Sequence, residues 1–312
     1  MKRLFCIAAL CLLGTPGHPP TRILFIGNSF TYGALSPVMH YQPGTVHDLN
    51  PPDAMGRGLG GVPAIFKQFT REAGLAYDVS LETVGGTGLD YHLAEKKRLI
   101  DGPWDVVVAQ SYSTLDAAHP GNPALLISAT RRMAKMFAAR NPRVKFYLVA
   151  TWSRADMVYP SGAIGPWKGA PVGQMAMDIE KGYEAAARNA KAAGVIPVGL
   201  AWNRGFAEGL ADDNPYDDQG ARKVNLWAYD NYHASVFGYY LAAAMDFGNV
   251  TGKDPMLLAA DGVDHVAEDL GISPQQKQAL LKLAHESLAS RCMADKKKEP
   301  RRTSTAGHKG GN

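Results

Sequence analysis

Apolar residues along this chain gather in short runs separated by longer stretches with helical spacing. Arg22–Ile26, Asp78–Val84, Trp104–Gln110, Val144–Ala150 and Val195–Val198 are short and rich in β-branched or aromatic residues, so each predicts a strand. The third, WDVVVAQ, is nearly continuous in apolar character, as a strand covered on both faces requires. Between these runs, Val62–Ala73, Pro123–Ala139, Gln174–Ala193, Ala234–Phe247 and Pro274–Ser290 predict helices. In the first of them Ile65, Phe66 and Phe69 share one face. Such alternation implies a three-layer α/β/α sandwich around a central parallel five-stranded sheet, which binds ligands beyond the carboxyl ends of its strands. Tyr32–Gly61, Arg154–Gly173 and Ala211–Val224 are rich in Pro, Gly and Asp and predict loops over that face.

The 312 residues, 46% hydrophobic with 33 Gly and 20 Pro, suffice for a sizeable core and exclude a low-complexity chain. The formal charge of +4 sits at the ends, in Lys2, Arg3 and seven basic residues of 291–312, and leaves the body mildly acidic. A nucleic-acid groove, which needs clustered cations on the folded surface, is therefore not expected. Residues 1–17 combine a cationic start with ten apolar residues, Leu4–Leu13. That run is too short for about 30 Å of hydrocarbon but fits a secretory signal. The expected organisation is a signal peptide over 1–20, one folded domain over 21–290 and a basic disordered tail over 291–312. Export to a periplasm or the exterior follows, with no stable membrane insertion after signal removal. Leu10 before Cys11 argues against lipid attachment, and with Cys6 and Cys11 removed, Cys292 alone remains and no internal disulfide forms.

The first strand ends in FIGNSFTYG, placing Ser29 where a buried strand turns toward a helix. A serine there is either an exposed nucleophile or an ordinary turn and helix cap. Neither GxxxxGK[ST] nor GxGxxG occurs at this turn, so phosphate-loop and dinucleotide readings fail. A hydroxyl needs a base, and the base needs an orienting carboxylate. Asp230 and His233, in YDNYHASVFGYY, supply both at a spacing that keeps them on one side of a tight turn, with a helix behind it. The same letters also describe a surface Asp and a helix-capping His. Asp116 and His119 repeat the spacing without an anchoring helix and serve as a control.

Together these residues resemble the SGNH hydrolase superfamily of GDSL-type esterases, over most of residues 22–248. Gly27-Asn28-Ser29 stands at the nucleophile block and Asp230-x-x-His233 at the last block. TVGGTGLDYH stands at the block that lends a glycine N–H to the oxyanion hole, with Gly86 as the expected donor and Gly85 as its alternative. The usual Gly-x-Asn-Asp block is absent, and Gln110 of VVVAQSYS stands where its asparagine amide would be. The resemblance implies a flavodoxin-like fold and a Ser29–His233–Asp230 triad, with an oxyanion hole of Ser29, Gly86 and Gln110. It also implies acyl transfer through an acyl-enzyme, without cofactor. The expected substrate is an O-acyl ester, chiefly O-acetyl on carbohydrate, handled by a monomer. The alternatives are a carbohydrate-binding protein with weak turnover and a lipase or lysophospholipase.

Aromatic residues near the expected site, Tyr112, Trp152, Trp167 and Trp227, are either substrate contacts or packing; Tyr112 and Trp152 are the substrate-binding candidates. His92, Asp116 and His119 lack a metal-ligand pattern, and no metal is expected.

Overall fold

The structure, a computed structural model, describes residues 19–52, 55–159, 165–217, 223–260 and 265–298, with side chains as far as Arg291. Residues 1–18 of the expected signal segment lie outside these residues. Six parallel strands form one sheet: β1 (Thr21–Gly27), β2 (His47–Asp48), β3 (Tyr77–Thr83), β4 (Val106–Ala109), β5 (Lys145–Ala150) and β6 (Gly194–Pro197). Their order is β2-β3-β1-β4-β5-β6. Without β2 this is the flavodoxin-like order, whose direction reverses between β1 and β4. The expected five strands are all present. The sixth, β2, is a two-residue edge strand within the Tyr32–Gly61 loop, too short to leave a periodic signal.

Eleven α-helices connect and cover the sheet among the described residues. On one side of the chain's midpoint they are α1 (Ser29–Tyr32), α2 (Gly61–Glu72), α3 (Leu89–Glu95), α4 (Lys97–Ile100) and α5 (Ala124–Arg140). The rest are α6 (Ala155–Val158), α7 (Val172–Ala190), α8 (Val198–Ala207), α9 (Val236–Thr251), α10 (His265–Asp269) and α11 (Pro274–Lys298). α11 passes the expected domain end at 290, and Arg291 ion-pairs with Glu180 and Glu184 of α7, so the start of the expected tail belongs to the fold.

Two apolar cores flank the sheet, and strand periodicity sorts residues between them. Ile23 and Phe25 of β1, with Val106 and Val108 of β4, face the core built from α2, α8, α9 and α11. Leu24, Ile26, Val107 and Ala109 face the core under α3, α5 and α7. All eight are at least 95% buried, and burying such a side chain contributes about 1.5–3 kcal/mol each. With both faces covered there is no polar side to alternate, which explains the unbroken apolar run of β4.

Candidate active site

β1 ends at Gly27, and the chain turns at once into α1, setting Ser29 beside the β1–β4 reversal point. Asn28, not Ser29, caps the helix: its Oδ1 accepts from the Phe30 N–H at 3.1 Å. The Asn28 amide meanwhile donates to the Thr87 and Ser111 carbonyls, at 2.8 and 3.3 Å. Capping is thereby satisfied without the Ser29 hydroxyl, and the turn-and-cap reading of Ser29 gives way. Gly27 is required because a Cβ there would stand 2.1 Å from Thr31 Oγ1 and 2.9 Å from Gln110 Oε1.

That close approach also fixes what Gln110 does. Its Oε1 accepts from the Asn28 N–H at 3.1 Å and from Thr31 Oγ1 at 3.2 Å, and its Nε2 donates to the Ser111 carbonyl. The expectation that Gln110 serves the oxyanion is corrected: the buried Asn28 N–H needs an acceptor, and the residue that follows β4 provides it. Gln110, 2% exposed, is a brace beneath the nucleophile turn. A cavity of about 20 Å³ lies below it, lined in part by Thr31, Thr151 and Asp246.

Asp230 and His233 sit on a hairpin-like turn closed by the Trp227–Ala234 bridge and by the Ala228 N–H donating to the His233 carbonyl at 2.8 Å. Asp230 Oδ1 accepts from the Tyr232 and His233 N–H groups, and its Oδ2 lies 2.6 Å from His233 Nδ1. Burial opposes the Asp230 charge, but these hydrogen bonds outweigh it and hold the carboxyl below its ordinary range. A carboxylate there fixes the tautomer with hydrogen on Nδ1, which leaves Nε2 as the basic atom. Nε2 is buried and has no hydrogen-bond partner among the described residues, so no hydrogen bond joins it to Ser29. The control pair differs: His119 Nδ1 is 3.6 Å from Asp116 Oδ2 and its side chain is 74% exposed, against 13% for His233.

The turn is docked onto the Ser29 segment by two links. Tyr239 of α9, itself buried, donates its hydroxyl to the Ser29 carbonyl at 3.2 Å. Phe30 packs edge-on against the His233 ring, with centroids 5.6 Å apart. Ser235 caps α9 through the Phe237 and Gly238 N–H groups and so sets where the turn ends.

Trp152 is 2% exposed and stacks on Phe30 at 4.3 Å and on Trp202 at 4.7 Å, while its Nε1 donates to the Tyr232 carbonyl at 3.2 Å. The expected substrate contact at Trp152 is therefore corrected to packing, because no face of the indole is left for a ligand. Trp167 and Trp227 are likewise buried. Tyr112 is half-buried against Gly88.

Gly86 adopts φ +72°, and among the described residues no acceptor takes its N–H or that of Ser29. The two are thus available to a developing oxyanion. His92 is fully buried against Glu82 whereas His119 is exposed, so the weighed metal triad does not assemble. No group of three His, Cys, Asp or Glu among the described residues is arranged to hold a metal. Tyr32 was not singled out in the sequence. Its hydroxyl packs on Gly85, and burial and then the neighbouring Tyr232 push its phenol up. Only the tertiary meeting of α1 with the β3–α3 loop reveals it.

No family model matches the chain, and no curated protein does. Among solved structures, a DUF4886 family protein from Bacteroides uniformis superposes with a TM-score of 0.56 at 17% identity, covering 87% of this chain and 96% of that one. A GDSL-like lipase from Parabacteroides merdae gives 0.50 at 16% identity, covering 75% and 96%. Axe2, an acetylxylan esterase from Geobacillus stearothermophilus, gives 0.50 at 13%, covering 74% and 94%. At these identities the likeness is one of architecture, an α/β/α sandwich, which is the fold class expected from the sequence.

Proposed function

We propose that the protein is a serine esterase cleaving O-acyl esters, with O-acetyl groups on carbohydrate as the favoured class. The observation that carries this reading is the Asp230–His233 pair at 2.6 Å, with a buried, unpartnered Nε2 on a turn docked against Ser29. His233 Nε2 takes the Ser29 proton as Oγ attacks the ester carbonyl, and the Ser29 and Gly86 N–H groups receive the oxyanion. The imidazolium, held by Asp230, then gives its proton to the departing alkoxide. Water, deprotonated by the same nitrogen, releases the acid from Ser29.

Two observations favour sugar esters over long-chain lipids. A relative in fold is an acetylxylan esterase, and the rim beside the His233 turn presents exposed tyrosines, Tyr159, Tyr216 and Tyr229. Tyrosine joins an apolar ring to a polar tip, which suits the faces and hydroxyls of a sugar. Tyr112 at the opposite edge is kept as a substrate contact in this reading. Export as a monomer is part of the same proposal, and among the described residues no helix is long and apolar enough to cross a membrane.

Ser29→Ala is expected to abolish turnover of p-nitrophenyl acetate and labelling by a fluorophosphonate, with the melting profile retained. Undiminished turnover by Ser29→Ala would refute the assignment.

A further inference from the structure

The β3–α3 loop, residues 84–88, carries Gly86 and is held from below by a chain of polar side chains that the reaction does not use. Glu82, on β3, and His92, on α3, have no exposed side-chain surface, and Glu82 Oε2 lies 2.5 Å from His92 Nδ1. On the other side of the ring, Nε2 lies 3.1 Å from Thr87 Oγ1. The Thr87 hydroxyl has one hydrogen, donated to the Val84 carbonyl at 2.8 Å. It can therefore meet His92 only as an acceptor, so Nε2 carries a hydrogen.

Acid, imidazole and hydroxyl are connected here as in a catalytic triad, yet the ring and the carboxyl lie where no substrate reaches. A buried polar chain of this kind is seldom better for stability than apolar packing of the same shape, so its contribution is sought in geometry. Its output is the loop. Thr87 is clamped at its hydroxyl by His92 and at its carbonyl by Asn28 Nδ2, at 2.8 Å. Val84 is clamped through its N–H to the Gly27 carbonyl at 3.0 Å. Gly85 and Gly86 hang between these two fixed points, and the backbone clamps of Thr87 and Val84 end on Asn28 and Gly27, the two residues before Ser29.

We propose that Glu82, His92 and Thr87 are positioning residues that hold the Gly86 N–H in register with the Ser29 N–H, so that both meet the oxyanion. The inference rests on the esterase reading above and adds to it a dedicated support for the oxyanion loop.

Thr87→Val keeps the side-chain shape and removes the accepting oxygen, and Thr87→Ser restores it. Kinetics on p-nitrophenyl acetate are normalised to active sites titrated with a fluorophosphonate. Thr87→Val is expected to lose about 10–100-fold in kcat, less than the 10²–10³ of a deleted oxyanion donor. KM should stay within about twofold and the rate of phosphonylation should fall in parallel, because both reactions build a tetrahedral centre. Thr87→Ser should recover most of the loss. A Thr87→Val enzyme with wild-type kcat per titrated site overturns the inference and leaves the esterase intact, as does a loss that appears in KM or is not recovered by Thr87→Ser. A wild-type protein that neither turns over nor labels overturns the esterase reading, and this inference with it.

Discussion

Asp230 accepts three hydrogen bonds, two from backbone N–H groups and one from the His233 ring, and these set both its charge and the tautomer of its partner. Asp230→Asn presents an amide that can hold the opposite tautomer, with hydrogen on Nε2, where it cannot serve as a base. The expected result is a loss of about 10³–10⁴ in kcat on p-nitrophenyl acetate, with the fold retained by circular dichroism. Because the native carboxyl is held below its ordinary range, its contribution to stability is fully present above the ordinary carboxylate pKa. It is lost only as pH falls through the lower native value. At this scale the sequence was partly legible. Asp-x-x-His is a cheap spacing, and the letters alone could not show that His119 faces solvent while His233 is enclosed. Glu82, His92 and Tyr32 left no trace as a group, because their meetings depend on how α1, β3 and α3 pack.

Among elements, the junction of β1 with β4 is held by Gln110, which satisfies three polar groups within one buried turn. Gln110→Leu keeps the volume and strands the Asn28 N–H and the Thr31 hydroxyl, while the Ser111 carbonyl keeps its bond from Asn28 Nδ2. An unpaired buried group costs about 1–3 kcal/mol, so a thermal melt should show a Tm lower by about 2–10 °C. An unchanged Tm would contradict the brace. The side chain was legible as belonging at the site, but its direction was not, since a carboxamide can donate upward to substrate or accept from below. The five long strands were legible from apolar runs. α8 was not, because Pro197 ends β6 and Val198 begins the helix with no intervening turn signal.

Across the whole molecule, one acid stands apart from the charged groups of the surface. Asp246 of α9 is 3% exposed, its Oδ1 lacks a partner among the described residues, and burial pushes its carboxyl well above the ordinary range. The sign follows from linkage. The unfolded chain gives up this proton near the ordinary value while the native protein keeps it, so the contribution is full below the unfolded pKa and is lost as pH rises toward the native one. Asp246→Asn has no proton to lose. In denaturant titrations from pH 5 to 9, wild type should lose stability relative to this variant by about 1.4 kcal/mol per pH unit while the native acid stays protonated. Parallel curves for the two proteins would contradict the assignment.

The stacked rings of Phe30, Trp152 and Trp202 run from α1 to the middle of α8 and reach the His233 turn through the Trp152–Tyr232 bond. This column works as a chassis, separate from the outer loops that carry Tyr159 and Tyr216. Those loops are free to be exchanged for others of different selectivity, whereas trimming any ring of the column would loosen the reacting groups from one another and leave nothing for a new loop to serve.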